Sequence, residues 1–451
     1  MLLFSAFQSI PFDPADPRAA LRQLPEDGAV FALYGEAAHA EPYIGRTPNL
    51  RGRLERLLLP SAKHPRRLQL AGRVRRIDWH LTGSDFESLL LQFQLLEQVY
   101  GPKALERMHL GAPSFVRFLG SNAYPRLTVT NRPSQKEADW AYGPFASRPA
   151  AERFAEETLK LFLLRRCTDE LDPDPSHPGC VYSEMKMCLA PCYKGCTDER
   201  YAEESAAVER FLASRGDSRL VQLKAQRDQA SANLEFEMAA ALHAQVQRAE
   251  AVRALAPELV RPANQLRAVI LQASAQADEV AVFLYEDGSL RGPVSFSTLG
   301  MRIQNEHSGS SSLYAQPMML EPIPEPPAQS NVDVSGHDFS RAETAARADR
   351  ALAPEGSSQG ESSATPQRVP RGLLESRLEA VLAELTAPVA PPNATMRQGH
   401  LALLKRWYYR PEVKRPGEIF FPGDEGAWPI RGLLRGVGRV AAKSLAAPAA
   451  P

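Results

Sequence analysis

Outside the stretch from Cys167 to Cys196, which holds all five cysteines, the 451 residues contain no thiol at all. That leaves no scattered disulfide framework. No apolar run approaches the roughly 20 residues that a membrane-spanning helix requires. The opening "MLLFSAFQSIPFDP" has no basic start ahead of its short apolar patch, so no secretory signal is expected. The expected compartment is a reducing cytoplasm, where disulfides are disfavoured and metal binding by cysteine gains weight. Net charge is absent too, with 53 basic residues against 53 acidic ones. Any face for nucleic acid must therefore come from uneven distribution of charge. No internal repeat is present.

What remains is an ordinary globular composition, 44% apolar and 24% charged, long enough for several cores. The pattern predicts an α+β multidomain chain. Residues 28–110 read as a small α/β domain: "AVFALYG" and "PYIG" as a strand pair, "NLRGRLERLL" and "DFESLLLQFQLLEQVY" as helices. Residues 111–198 add the strands "SFVRFL" and "PRLTVT". A helix opened by Ser147 and Pro149 then runs through "AERFAEETLKLFLLRR" into the cysteine region. Residues 199–256, without proline until Pro257, predict two or three helices packed as a hairpin. In 265–305, "RAVILQAS" and "EVAVFLYEDGSLRGPVSFS" alternate as strands, with "EDGS" as the turn. These join 373–422 in a discontinuous β/helical domain. Between them, 306–372 is too poor in large apolar groups to offset chain entropy and predicts a disordered insert. Residues 423–451 read as an Ala/Pro tail. The run Trp407-Tyr408-Tyr409 is expected in a core, not as a stacking platform for bases.

Two stretches carry candidate chemistry. Cys167, Cys180, Cys188 and Cys192 follow the spacing C-x12-C-x7-C-x3-C, with Cys196 outside it. Four thiolates suit a structural zinc ion or an iron–sulfur cluster, and a single close pair favours the cluster. From Arg46 to Arg76, ten basic residues stand against one acid, Glu55. They are Arg46, Arg51, Arg53, Arg56, Lys63, Arg66, Arg67, Arg73, Arg75 and Arg76. In a neutral chain this is a footprint suited to phosphates, and the arginines are the candidate DNA contacts.

"AVF…PYIGRTPNLRGRL" resembles the GIY-YIG nuclease module. "YGPFAS", the helix ending "LLRRC", the cysteine run with its "CLAPC", and "LEFEMAAALHAQV" follow in the order of the UvrC family, the incision subunit of bacterial excinuclease ABC. "HLALLKRWYYRPEVKRPGEIFFP" resembles the segment ahead of that family's second nuclease domain. The resemblance implies nucleotide excision repair and a four-iron, four-sulfur cluster on Cys167, Cys180, Cys188 and Cys192, with zinc as the alternative. It also implies a UVR-like helical hairpin over 231–250 that docks on a UvrB-like protein. Fewer than thirty residues follow position 422. The ribonuclease-H-like and helix-hairpin-helix domains of full-length relatives are thus expected to be absent, leaving at most a 3′ incision.

Carried over by motif, the resemblance makes Tyr43 the tyrosine that helps deprotonate water and Arg53 the arginine that neutralises phosphate charge. Arg46 takes the place of the lysine after YIG. Departures are equally specific. Phe31 stands where the family has its first tyrosine, with Tyr34 as a conceivable substitute. "GPKAL" replaces the asparagine that follows the long helix in the family. Gln92 occupies the position of the glutamate that holds Mg²⁺ or Mn²⁺. Five residues from 92 in either direction, Glu87 and Glu97 are each turned about 140° away on a helix. The expectation is an impaired nuclease, or else an inactive accessory protein binding DNA and a UvrB-like partner.

Overall fold

In the computed structural model the described residues are 7–37, 40–59, 70–132, 139–301, 369–423 and 426–446. They form an α+β structure built on three four-stranded antiparallel sheets.

The first sheet uses β1 (Gln8–Pro11), β2 (Ala29–Tyr34), β3 (Tyr43–Thr47) and β4 (Arg76–Leu81) in the order β1-β4-β2-β3. Helix α1 (Pro17–Leu21) follows β1, and α2 (Leu50–Leu58) follows β3. The expected pair β2–β3 is there, in the register Phe31 opposite Gly45 and Leu33 opposite Tyr43. Strand β4, which the sequence reading does not single out, alternates buried Ile77 and Trp79 with the charged Arg76 and Asp78. Helix α3 (Asp85–Tyr100) matches its expected bounds. Ser84 caps it by accepting from the Glu87 N–H at 3.1 Å, and Gly101, at φ 56°, ends it. The short α4 (Lys103–Arg107) completes this part.

The second sheet holds β5 (Ser114–Leu119), β6 (Leu127–Thr130) and β7 (Asp139–Phe145), with α5 (Arg148–Thr158) packed on it. Here one expectation is corrected. Helix α5 stops at Thr158 and does not run into the cysteines, because Phe162 and Leu164 are buried on either side of the exposed Leu163. That period of two fits extended chain, not helix. The cysteine loop with its short α6 (Val181–Glu184) leads to three helices, α7 (Asp198–Ala213), α8 (Asp217–Ala232) and α9 (Phe236–Ala254). Strand β8 (Arg261–Pro262) then closes the sheet as β6-β5-β7-β8.

The third sheet, ordered β11-β10-β9-β12, contains β9 (Ala268–Ala273), β10 (Glu279–Glu286) and β11 (Ser289–Ser297). The expected insert falls almost wholly outside the described residues. Its last four, 369–372, are described, and α10 (Arg371–Thr386) begins inside them. Helix α11 (Ala394–Tyr408) and β12 (Glu418–Phe420) follow. The Ala/Pro tail expected over 423–451 contains α12 (Ile430–Ala446), whose Leu433, Val437 and Val440 are buried against the third sheet beside α10. Spacings of three and four make one apolar stripe from an Ala/Gly-rich segment.

One core joins the first and third sheets. Phe86, Phe93 and Leu96 of α3 share it with Ile44, Phe283 and Trp407. Trp407 is fully buried, its ring centroid 5.4 Å from that of Phe86, in keeping with the core expected for the aromatic run. The two helices α3 and α11 approach so closely that a Cβ on Gly399 would fall inside the ring of buried Phe93. Gly399→Ala is therefore expected to destabilise the fold by about 2 kcal/mol despite its better helix propensity. Phe93→Leu in the same chain should recover part of the loss in urea unfolding.

Candidate functional site

The edge strand β3 carries the first candidates. Side chains alternate across it. Tyr43 and Gly45 share the face of Phe31, whose ring lies 6.1 Å from that of Tyr43, while Ile44 and Arg46 turn towards α3. Gly45 is glycine for a local reason, since any Cβ there would collide with the Phe31 ring. Tyr43 is 44% exposed, and its hydroxyl has no partner among the described residues. On α2 the buried stripe Leu50, Leu54 and Leu58 faces the sheet, and half-buried Arg53 flanks it without an ion-pair partner among the described residues. Asn49 starts this helix by accepting from the Gly52 N–H at 2.7 Å.

Tyr34 does not replace the hydroxyl missing at Phe31. It packs against the core on the α3 face, opposite to Phe31, with the Arg76 guanidinium 4.0 Å from its ring centre. Gln92 is half-buried on α3, the helix packed beneath β3. Both nearby carboxylates are committed elsewhere. Glu87 is buried and accepts from the Gly83 N–H at 2.9 Å, and burial pushes its carboxyl up to about 7. Glu97 accepts from Asn393 Nδ2 at 2.7 Å, at the start of α11. This agrees with the helical offset expected for both.

The basic stretch is more neutral in space than along the chain. Arg46 pairs with Asp85, whose other oxygen accepts from Arg410 Nη1 at 2.7 Å. Arg51 pairs with Glu26 at 2.6 Å, Arg75 with Glu36 at 3.2 Å and Arg76 with Asp78 at 3.0 Å. Arg53, Arg56 and Arg73 have no carboxylate partner among the described residues, whereas Lys63, Arg66 and Arg67 lie outside them. Sequence reading missed Asp85 and Arg410, the latter 325 residues away along the chain.

All five cysteines are free thiols. Cys167, Cys180, Cys188 and Cys192 line one small cavity together with Arg166, Tyr182 and Pro191. The loop is shaped by left-handed residues, among them Ala190 at φ 55° and Lys194 at φ 58°. The Ala190 N–H donates to Cys188 Sγ at 3.3 Å, and Arg165 Nη1 approaches Cys167 Sγ at 3.7 Å. Burial pushes the Cys188 thiol up to about 11, with a further rise from the three neighbouring cysteines. Among the described residues, no three His, Cys, Asp or Glu side chains converge tightly enough to hold a single metal ion. Cys196 is outside it, packed against the core of the second sheet.

Helices α8 and α9 form an antiparallel pair anchored at its base by Leu220, Leu223, Val246 and Ala249. Its tip, within 231–250, exposes Leu234, Phe236 and Met238, each more than half accessible.

Residues 115–211 match the family model described as UvrC/Cho excinuclease, middle domain. The UvrABC system protein C of Pseudomonas protegens is 28% identical over 234 residues, 52% of this chain and 38% of that protein. The proteins of the same name from Alcanivorax borkumensis and Escherichia fergusonii are 28% and 29% identical over 238 residues. Over this stretch the chain is UvrC-like. It spans only about two-fifths of the length of these relatives. No solved structure matches it.

The UvrC-like middle region runs from within β5 to within α7 and includes all five cysteines, so the cysteine cavity lies inside the matched segment. Among the described residues no helix is long and apolar enough to cross a membrane.

Proposed function

We propose that this chain serves nucleotide excision repair as a UvrC-like protein. It binds DNA through the GIY-YIG-like N-terminal module and a UvrB-like partner through the hairpin at 231–250. One observation carries the view that its nuclease is impaired: on α3, Gln92 stands where the carboxylate belongs, and both Glu87 and Glu97 are held by other partners. Magnesium sites rest on one or two carboxylates. The residues present do not fit a Mg²⁺ or Mn²⁺ ion. Tyr43 and Arg53 keep the roles that need no metal. The exposed hydroxyl faces solvent where a water or a phosphate oxygen can approach, and the unpaired guanidinium offers charge to a phosphodiester.

The exposed apolar hairpin tip favours the accessory reading, in which recruitment outweighs incision. Cys167, Cys180, Cys188 and Cys192 would hold a four-iron, four-sulfur cluster. Thiols spread around a cavity, two with N–H donors aimed at sulfur, suit that group. Zinc, the alternative, would require every sulfur at about 2.3 Å from one centre. When bound, the group would supply a cross-link within a loop that has little core of its own. Iron, sulfide and zinc analysis of anaerobically purified protein separates the two.

The test of function uses the full chain with nicked and lesion-bearing duplexes in Mg²⁺ or Mn²⁺. Binding that weakens steeply with salt is expected, together with slow or no cutting. Brisk incision by the unaltered protein overturns the impaired reading, and absence of DNA binding overturns both.

A further inference from the structure

A second polar site lies away from β3, in the UvrC-like middle region. The β5–β6 turn and the loop leading from Cys167 enclose a cleft of about 460 Å³. Three arginines reach it: Arg117 from β5, Arg126 from the turn and Arg165 from the chain just ahead of Cys167. Ser121, Asn122 and Thr168 add neutral donors, and Asp169 and Glu170 stand at the solvent-exposed rim.

Arg165 is built in, not draped over the surface. It is only 3% exposed. Its Nε donates to the Tyr124 carbonyl at 3.0 Å and its Nη1 to the Asp169 carbonyl at 2.9 Å. Its own backbone N–H donates to Tyr201 Oη at 3.1 Å. Its Nη2 makes no bond among the described residues. Arg126 is half-buried in the same wall, and its Nε is shielded from water with no hydrogen-bond partner among the described residues. A buried donor left without an acceptor costs free energy, and clustered like charges add to that cost. An anion in the cleft would offset the clustered charge.

We propose that this cleft binds one phosphodiester of a nucleic-acid strand, with Arg126 and Arg165 as its principal ligands. Charge selects the ligand. Arg126 and buried Arg165 line the cleft while Asp169 and Glu170 stand exposed at its rim, an arrangement suited to the single charge of a phosphodiester and not to a polyphosphate. Because Arg165 also lines the cysteine cavity, a strand seated here would contact the wall that the cysteine loop provides. The inference takes its ligand from the DNA-binding reading above, but its residues are separate from Tyr43, Arg53 and the N-terminal module.

The experiment measures DNA affinity against salt for the full chain and for Arg126→Gln, Arg126→Lys and Glu170→Gln, with competition by inorganic phosphate and by a trinucleotide. Arg126→Gln should bind single-stranded DNA about tenfold more weakly, and its log–log salt slope should be shallower by about 0.7. Arg126→Lys should keep the slope while losing affinity, since a point charge replaces a fork. Glu170 is exposed, so Glu170→Gln should fold normally and bind DNA about twofold more tightly. A trinucleotide should protect backbone amides at 120–126 and 168–171 from hydrogen exchange, and inorganic phosphate should not. Unchanged affinity and slope in all three variants, while the unaltered chain binds DNA, would sink the cleft and spare the functional reading. Protection by phosphate alone would mark a small-anion site and overturn the strand. No DNA binding by any form would overturn both.

Discussion

Gln92→Glu is expected to raise metal-dependent cleavage of one strand by about a thousandfold. An amide can touch a divalent cation through its carbonyl but brings no charge, whereas a carboxylate anchors the ion and offsets charge in the transition state. A gain of about 4 kcal/mol corresponds to that factor. The structure removes the simplest escape from this expectation, because Glu87 is occupied by the Gly83 N–H and Glu97 by Asn393. Tyr43→Phe and Arg53→Ala, each placed on the Gln92→Glu chain, should return cleavage towards the starting rate. The measurement is single-turnover cutting of a labelled nicked duplex over a range of Mg²⁺ concentrations. If Gln92→Glu leaves the rate where it was, position 92 is not the missing anchor.

How far the sequence disclosed this arrangement depended on the range of the signal. Helix α3 was legible to its ends because Ser84 and Gly101 punctuate it locally. The turn at "EDGS" was legible for a similar reason, with Asp287 at φ 51° and Gly288 at φ 76° between the paired Glu286 and Ser289. Strand β4 was hidden by its own charges. Ile77, Trp79 and Leu81 alternate as a strand requires, yet Arg76, Asp78 and His80 between them blunt the apolar signal, and only Arg76 was read, as the end of the basic stretch. Helix α12 was hidden by alanine and glycine, although Leu433, Val437 and Val440 recur on one side. Charge was the hardest to read. Counting arginines along 46–76 found the cations, but the acids that pair with four of them, Glu26, Glu36, Asp78 and Asp85, all lie outside that window. The bridge from Asp85 to Arg410 needs the whole fold to exist.

That fold buries two titratable groups with opposite leanings, and their separation should be visible in unfolding. His400 on α11 is 1% exposed. Its Nδ1 accepts from the Leu290 N–H at 3.1 Å, and burial lowers its pKa from 6.5 to about 4. A histidine kept neutral contributes stability above its unfolded pKa and loses it as pH falls through the folded value. The loss between about pH 6.5 and 4 is about 3 kcal/mol. Glu87 runs the other way. Its pKa rises from 4.5 to about 7, so its contribution is complete below 4.5 and is lost as pH rises through 7, again by about 3 kcal/mol. Across pH 4.5 to 6.5 the unfolded chain gains a proton at His400 and loses one at Glu87, so the two slopes cancel. Each substitution should uncover the other group. Relative to the unaltered chain, Glu87→Gln should be stabilised at pH 8 and should lose stability more steeply as pH falls to 4. Its amide carbonyl can still accept from the Gly83 N–H. His400→Asn, which preserves an acceptor for the Leu290 N–H, should instead lose stability more steeply as pH rises from 4.5 to 7. Urea unfolding midpoints at half-unit intervals of pH read both slopes. Parallel profiles for the two variants and the unaltered chain would show that neither group changes its protonation on folding.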